Sequence, residues 1–157
     1  MKKYFVIALA MIIAPFTSFA QYYTTYSSTL GNTLNSHTTD QYGRTVVNSS
    51  SRTDFTGNVY TTYTDGYGRT VGYSTTSTDF TGNINTSYSD AYGRSLGSSS
   101  SNYDFSGNLN TDYTNQYGRS VGSSTTTSYP WSNTSTTTTR DAYGRTISTS
   151  SSSYWGW

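Results

Sequence analysis

Downstream of residue 20 the chain has no lysine, glutamate or cysteine, so its charge chemistry rests on eight aspartates, seven arginines and one histidine, His37. Their spacing is regular. Tyr-Gly-Arg begins at Tyr42, Tyr67, Tyr92, Tyr117 and Tyr143. An aspartate precedes the arginine by four residues in Asp40/Arg44, Asp65/Arg69, Asp90/Arg94 and Asp141/Arg145, whereas Asn115 precedes Arg119. A second motif, Asp-Phe-(Thr/Ser)-Gly-Asn, begins at Asp54, Asp79 and Asp104 between these copies. Three chemistries are open to such a set. General acid–base catalysis needs a base with positioned partners. His37 stands alone among Ser and Thr and reads as an exposed strand or loop residue. Calcium binding needs several oxygens converging on one ion, and one aspartate per motif is too sparse unless neighbouring motifs bring theirs together. Ion pairing across a turn fits the four-residue spacing, although exposed pairs contribute only about 0–1 kcal/mol. The sequence therefore predicts no catalytic, cofactor-binding or metal-binding residues and a structural role for the charged motifs.

Both motifs share the frame Asp-x-x-Gly-(Arg/Asn), with glycines at Gly43, Gly57, Gly68, Gly82, Gly93, Gly107, Gly118 and Gly144. Asp suits the first position of a type I turn because its carboxylate accepts a backbone N–H two residues on. Gly suits the fourth, where φ is often positive. A type I turn closed by a glycine bulge is a common hairpin connection. Weaker copies at 28–32 and 129–133 complete a series whose interior starts alternate 14 and 11 residues apart. The glycines are expected to matter more for stability than the aspartates, which would each lose one local hydrogen bond.

Strands must connect these turns. The intervening segments 59–64, 84–89 and 109–114 are short, and 45–53, 70–78 and 95–103 are longer; all are rich in Thr, Tyr, Ser or Val, which are mostly strand formers. Period-two alternation puts Val59, Thr61 and Tyr63 on one face, as it does Ile84, Thr86, Tyr88 and Leu109, Thr111, Tyr113. An aliphatic residue follows each arginine by two: Val46, Val71, Leu96, Val121 and Ile147. Stacked repeats would then carry one narrow aliphatic row and one tyrosine row. Eleven aliphatic side chains after residue 20 cannot offset backbone ordering at about 1–2 kcal/mol per residue, so tyrosines and backbone ladders must supply the rest. The expected fold is all-β, about five 25-residue repeats of short antiparallel hairpins, as a meander or ribbon or as a β-solenoid. The turn tyrosines Tyr42, Tyr67, Tyr92, Tyr117 and Tyr143 either cover the turns and shield the thin core or form an aromatic row able to stack on sugars or on another chain.

Residues 1–20 read as a signal peptide: Lys2 and Lys3, an apolar run from Phe5 to Ala14, and Ser18-Phe19-Ala20 before the expected cleavage. The run is shorter than the roughly 20 residues of a membrane-spanning helix. Residues 21–157 then form a single β-repeat domain with no transmembrane segment. That region is nearly neutral, which argues against nucleic acid or anionic lipid as a partner held by bulk charge. The end segments 21–26 and 148–157 carry no charged side chain and invite pairing with further strands. The chain itself and surface glycans or proteins are thus the expected partners.

Asp90-Ala-Tyr-Gly-Arg94, preceded by Tyr88 and followed by a strand and another Asp-x-x-Gly-Asn, resembles the YD repeats of bacterial RHS proteins, as does Tyr63-Thr-Asp-Gly-Tyr-Gly-Arg69. The resemblance covers most of residues 39–145. It implies hairpin ribbons that coil into surface structures or shells. The usual strand hydrophobics are largely Ser and Thr here, and no effector-like domain follows the repeats, so a toxin role is not implied. In architecture alone, five Ser/Asn/Gly/Tyr-rich strand–turn–strand repeats behind a signal peptide are similar to the curli fibre subunit. Together these features predict a non-enzymatic, exported structural or interaction protein of the cell surface, extracellular matrix or periplasm. The alternatives are an amyloid-like fibre subunit and a carbohydrate- or ice-binding module, the last motivated by Thr pairs such as Thr61-Thr62 and Thr75-Thr76.

Overall fold

The computed structural model describes residues 24–30 and 33–153. The expected signal peptide, the start of the expected first strand at 21–23 and the aromatic tail at 154–157 lie outside the described residues. The rest forms eleven strands: β1 (Thr24–Leu30), β2 (Thr33–Thr39), β3 (Thr45–Thr53), β4 (Val59–Thr64), β5 (Thr70–Thr78), β6 (Ile84–Asp90), β7 (Ser95–Tyr103), β8 (Leu109–Asn115), β9 (Ser120–Tyr129), β10 (Thr134–Asp141) and β11 (Thr146–Ser153). They make one sheet in which each strand is hydrogen-bonded to its neighbours in sequence, in the order β1 to β11. Every pairing is antiparallel. The protein is all-β and a meander; the solenoid alternative falls away because, among the described residues, the strands are hydrogen-bonded in sequence order in one sheet. Helix among the described residues is one 3₁₀ turn at Pro130–Ser132, and no helix there is long and apolar enough to cross a membrane.

The turns follow the shared frame. In the Tyr-Gly-Arg and Asp-Phe motifs alike, the glycine N–H donates to the carbonyl of the leading residue, and that residue's N–H donates to the carbonyl of the closing Arg or Asn. The glycines sit at φ of +74° to +88°. This is a three-residue loop with a type I turn and a glycine bulge. The two weak copies differ. β1 runs on to Leu30, which pairs with Thr33. In the last interior turn Asn133 takes the left-handed position at φ +50°, one residue later than the frame places its glycine.

Tertiary structure overturns one expectation. The aliphatic row after the arginines is not a core. Cross-strand register jumps over Val46, Val71, Leu96, Val121 and Ile147, so each is the extra residue of a β-bulge. A bulged residue has no partner opposite to cover it; all but Val71 are classed as exposed, and Val71 is half-buried. The buried face is instead hydroxylic. Thr61, Thr86 and Thr111 are buried, as are Ser74, Ser99 and Ser124, and the only buried large side chains among the described residues are Tyr63 and Tyr88, each 4% exposed. Hydroxyls pair across strands at Ser51–Thr61 (2.8 Å), Thr76–Thr86 (2.9 Å), Ser101–Thr111 (2.8 Å) and Thr126–Thr137 (2.8 Å). Burying a hydroxyl without a partner is costly, and this ladder satisfies most of them in pairs; among the described residues the buried Thr139 Oγ1 has no partner. The same alternation sends Thr62 to the opposite face from buried Thr61, so the Thr pairs do not build one flat Thr surface.

The tyrosines complete that face. Tyr63 lies directly opposite Gly72, Tyr88 opposite Gly97 and Tyr113 opposite Gly122. Their hydroxyls reach Ser74 (3.0 Å), Ser99 (3.3 Å) and Ser124 (3.0 Å), two residues along the same partner strands. Each ring thus crosses the strand that carries the glycine, whereas a Cβ at Gly72, Gly97 or Gly122 would face the backbone of the next strand, at the Ser89, Thr114 or Arg140 carbonyl. An aromatic ring covering a cross-strand glycine restores the burial the glycine forgoes. The terminal repeats lack both members: Thr38 faces Val47, and Thr139 faces Ser148.

Candidate functional site

Because the strands alternate in direction, turns of one kind collect on one edge of the sheet. All five Tyr-Gly-Arg turns lie on one edge, joining β2 to β3, β4 to β5, β6 to β7, β8 to β9 and β10 to β11. The three Asp-Phe turns and the Trp131 turn lie on the other. Turns on one edge recur every second strand, about 10 Å apart at the usual strand spacing.

On the first edge each aspartate is a multiple acceptor. Asp65 Oδ1 accepts the N–H groups of Tyr67 (2.9 Å) and Arg69 (2.9 Å), and Oδ2 accepts Arg69 Nε (2.8 Å). Asp40, Asp90 and Asp141 repeat the pattern with Arg44, Arg94 and Arg145. The ion pairs measure 2.6–2.7 Å. Each aspartate thus holds several bonds rather than one, which narrows the expected gap between glycine and aspartate substitutions. The fixed guanidinium lies over the turn tyrosine, with Cζ 5.2–5.5 Å from the ring centres of Tyr42, Tyr67, Tyr92 and Tyr143, within cation–π range. Asn115 keeps the backbone bonds to Tyr117 and Arg119 but carries no charge. All five tyrosines are exposed. They do not shield the core; they form an aromatic row backed by arginines.

The opposite edge was not singled out by its residue types, yet it carries the most exposed apolar side chains of the described residues. Phe55, Phe80, Phe105 and Trp131 are as exposed as in an extended chain. Their turns are closed without arginine. Asp79 Oδ1 accepts the hydroxyl (2.6 Å) and N–H (2.9 Å) of Thr81 and the N–H of Asn83 (3.0 Å), and Oδ2 accepts the Asn83 amide (3.1 Å). Asp54 is held alike by Thr56 and Asn58. Among the described residues no arginine pairs with Asp54, Asp79 or Asp104. The signal for this row was the invariant phenylalanine of the second motif, one place after each aspartate, where a turn side chain points to solvent.

The carboxyls respond to these bonds. The Thr81 hydroxyl, opposed by partial burial and helped by Asn83, holds Asp79 down at about 2. The Arg69 and Arg94 backbone N–H groups lead in holding Asp65 and Asp90 below the usual 3.8. In the interior, burial pushes the Tyr63 and Tyr88 phenols above 10.0. A carboxyl with a depressed folded-state pKa contributes stability above its unfolded pKa and loses it as pH falls. A phenol with a raised one contributes below its unfolded pKa and loses it as pH rises. Melting temperature should therefore hold level from about pH 5 to 9, fall between pH 4 and 2, and fall again above pH 10. A thermal-melt series across these buffers checks this; a curve flat to pH 2 would show that the turn carboxylates do not support the fold.

His37 lies in β2, half-buried, with Nδ1 2.6 Å from Asn48 Oδ1 and Nε2 3.4 Å from Thr45 Oγ1. A shallow hollow beside it is lined by Asn35, Asn48, Ser49 and Thr62. No three His, Asp or Glu side chains gather in metal-binding geometry among the described residues. Compared with known protein families, characterised proteins and solved structures, the chain matches none.

Proposed function

We propose that the protein is a non-enzymatic, exported structural or interaction protein of the cell surface or extracellular matrix, acting through its two aromatic turn edges. The supporting observation is periodicity: exposed rings repeat every second strand on both edges, while the buried face holds few apolar side chains. Such a surface offers many equal, weak contacts rather than one reaction centre, which suits avid attachment to a repeating partner such as a glycan, a protein coat or the protein itself. The resemblance to YD repeats, with their coiled surface structures, points the same way. Immunogold labelling of intact cells, with N-terminal sequencing of the labelled protein, tests the reading. Surface label and a new terminus at Gln21 are the expected results. Cytoplasmic protein retaining Met1 would overturn it.

A fibre-subunit reading is favoured by one strand. Among the described residues β11 pairs with β10 alone, and its Thr146–Ser153 carries neither charge nor proline. Natural edges are usually blunted by such residues. Lysine at Thr149 and Ser153, both exposed, should suppress filaments seen by electron microscopy; filaments unaffected by the substitutions would exclude growth through β11.

A further inference from the structure

The two aromatic edges belong to one sheet, and this constrains what they fit. An external ligand would have to match their repeat, about 10 Å for every second strand. The opposite edge of another copy matches it by construction, because both edges are generated by the same strands. The edges also differ in chemistry in a complementary sense. One presents guanidiniums stacked on tyrosines, with Arg119 lacking a carboxylate partner because Asn115 replaces aspartate. The other presents bare phenylalanines beside Asp54, Asp79 and Asp104, whose carboxyls are held ionised and pair with no arginine among the described residues. Exposed phenylalanine at every copy of one turn is a standing cost in water. A tyrosine–arginine row of equal period can cover it, ring against ring and carboxylate against guanidinium.

We propose that copies of this chain dock side by side, the Phe/Trp edge of one on the Tyr/Arg edge of the next. The contact joins different surfaces, so it is heterologous and does not close on itself in a side-by-side array. It produces lateral rows, distinct from end-to-end growth through β1 and β11. The inference deepens the proposed function by naming a second copy as the partner, but its test does not depend on where the protein resides.

The test uses the full chain and two edge variants. The first carries Phe55→Ser, Phe80→Ser, Phe105→Ser and Trp131→Ser; the second carries Tyr67→Ser, Tyr92→Ser and Tyr117→Ser. All these side chains are exposed, and circular dichroism verifies that both variants keep their β content. In sedimentation velocity the unaltered protein should grow beyond a dimer as concentration rises, and high salt should weaken the growth. Each variant alone should stay at the mass of one chain. An equimolar mixture should shift to the mass of two, because each variant retains the edge the other has lost. A mixture that stays monomeric overturns the proposal. So does assembly of each variant alone to the size of the unaltered protein, which would assign growth to the strand edges. An unaltered protein that stays monomeric yet co-sediments with an insoluble polysaccharide also overturns it, and would assign the rows to glycan.

Discussion

Gly97→Val should lower the melting temperature by roughly 10 °C or more, the largest loss of any single turn or bulge substitution. Two effects add. Gly97 has φ +140°, where a β-branched residue is strained by about 1–3 kcal/mol. A Cβ built there would also meet the Thr114 carbonyl oxygen at 2.1 Å. That obstacle is backbone in a paired strand and cannot rotate away. At about 2–4 °C per kcal/mol for a chain of this size, a combined loss of some 3–5 kcal/mol gives the stated shift. Gly93→Val is the control. Gly93 also has positive φ (+78°), but a Cβ there meets nothing within 4 Å, so it suffers strain alone. Thermal melts of the two variants should separate clearly. Equal losses would mean that Gly97 does not approach β8 as described.

Tyr88→Ala should cost about 3–5 kcal/mol, the usual range for emptying a buried aromatic site. The ring is 4% exposed, and its loss uncovers Gly97 and leaves Ser99 without its phenol. Tyr88→Phe keeps the ring and loses only the hydroxyl bond, about 1 kcal/mol. The more telling variant combines Tyr88→Thr with Gly97→Val. It copies the first repeat, where Thr38 stands opposite Val47. Because the obstacle at Gly97 is the β8 backbone and not the ring, removing the ring does not relieve it, and the double variant should lose close to the sum of the single ones. Chemical denaturation of the four proteins measures the coupling. A double variant that loses much less than the sum would show that the Tyr88 ring, rather than the β8 backbone, excludes a side chain at residue 97.

Most of the framework was legible from local chemistry. Asp-x-x-Gly demands a type I turn with a positive-φ glycine whatever surrounds it, so the turn positions and the strands at 45–53, 59–64, 70–78 and 95–103 follow from residue type alone. Only β6 and β8 run one residue further, to Asp90 and Asn115. The shared face of Val59, Thr61 and Tyr63 follows equally, because alternation is intrinsic to a strand. The meander was not decided there, since the same turns could close solenoid coils; it depends on which strand lies beside which. Nor was the fate of the aliphatics. Val71 reads as core by polarity, and only cross-strand register makes it the unpaired residue of a bulge. The Tyr/Gly pairing had a trace in the sequence, because glycine follows Arg69, Arg94 and Arg119 by three but is replaced by Val47 and Ser148 in the terminal repeats. That trace acquires meaning only when Tyr88 and Gly97, nine residues apart, are set face to face. Local conformation is dictated by neighbours along the chain, whereas burial and the sorting of Phe and Tyr turns onto opposite edges depend on strand pairing, which only the tertiary structure supplies.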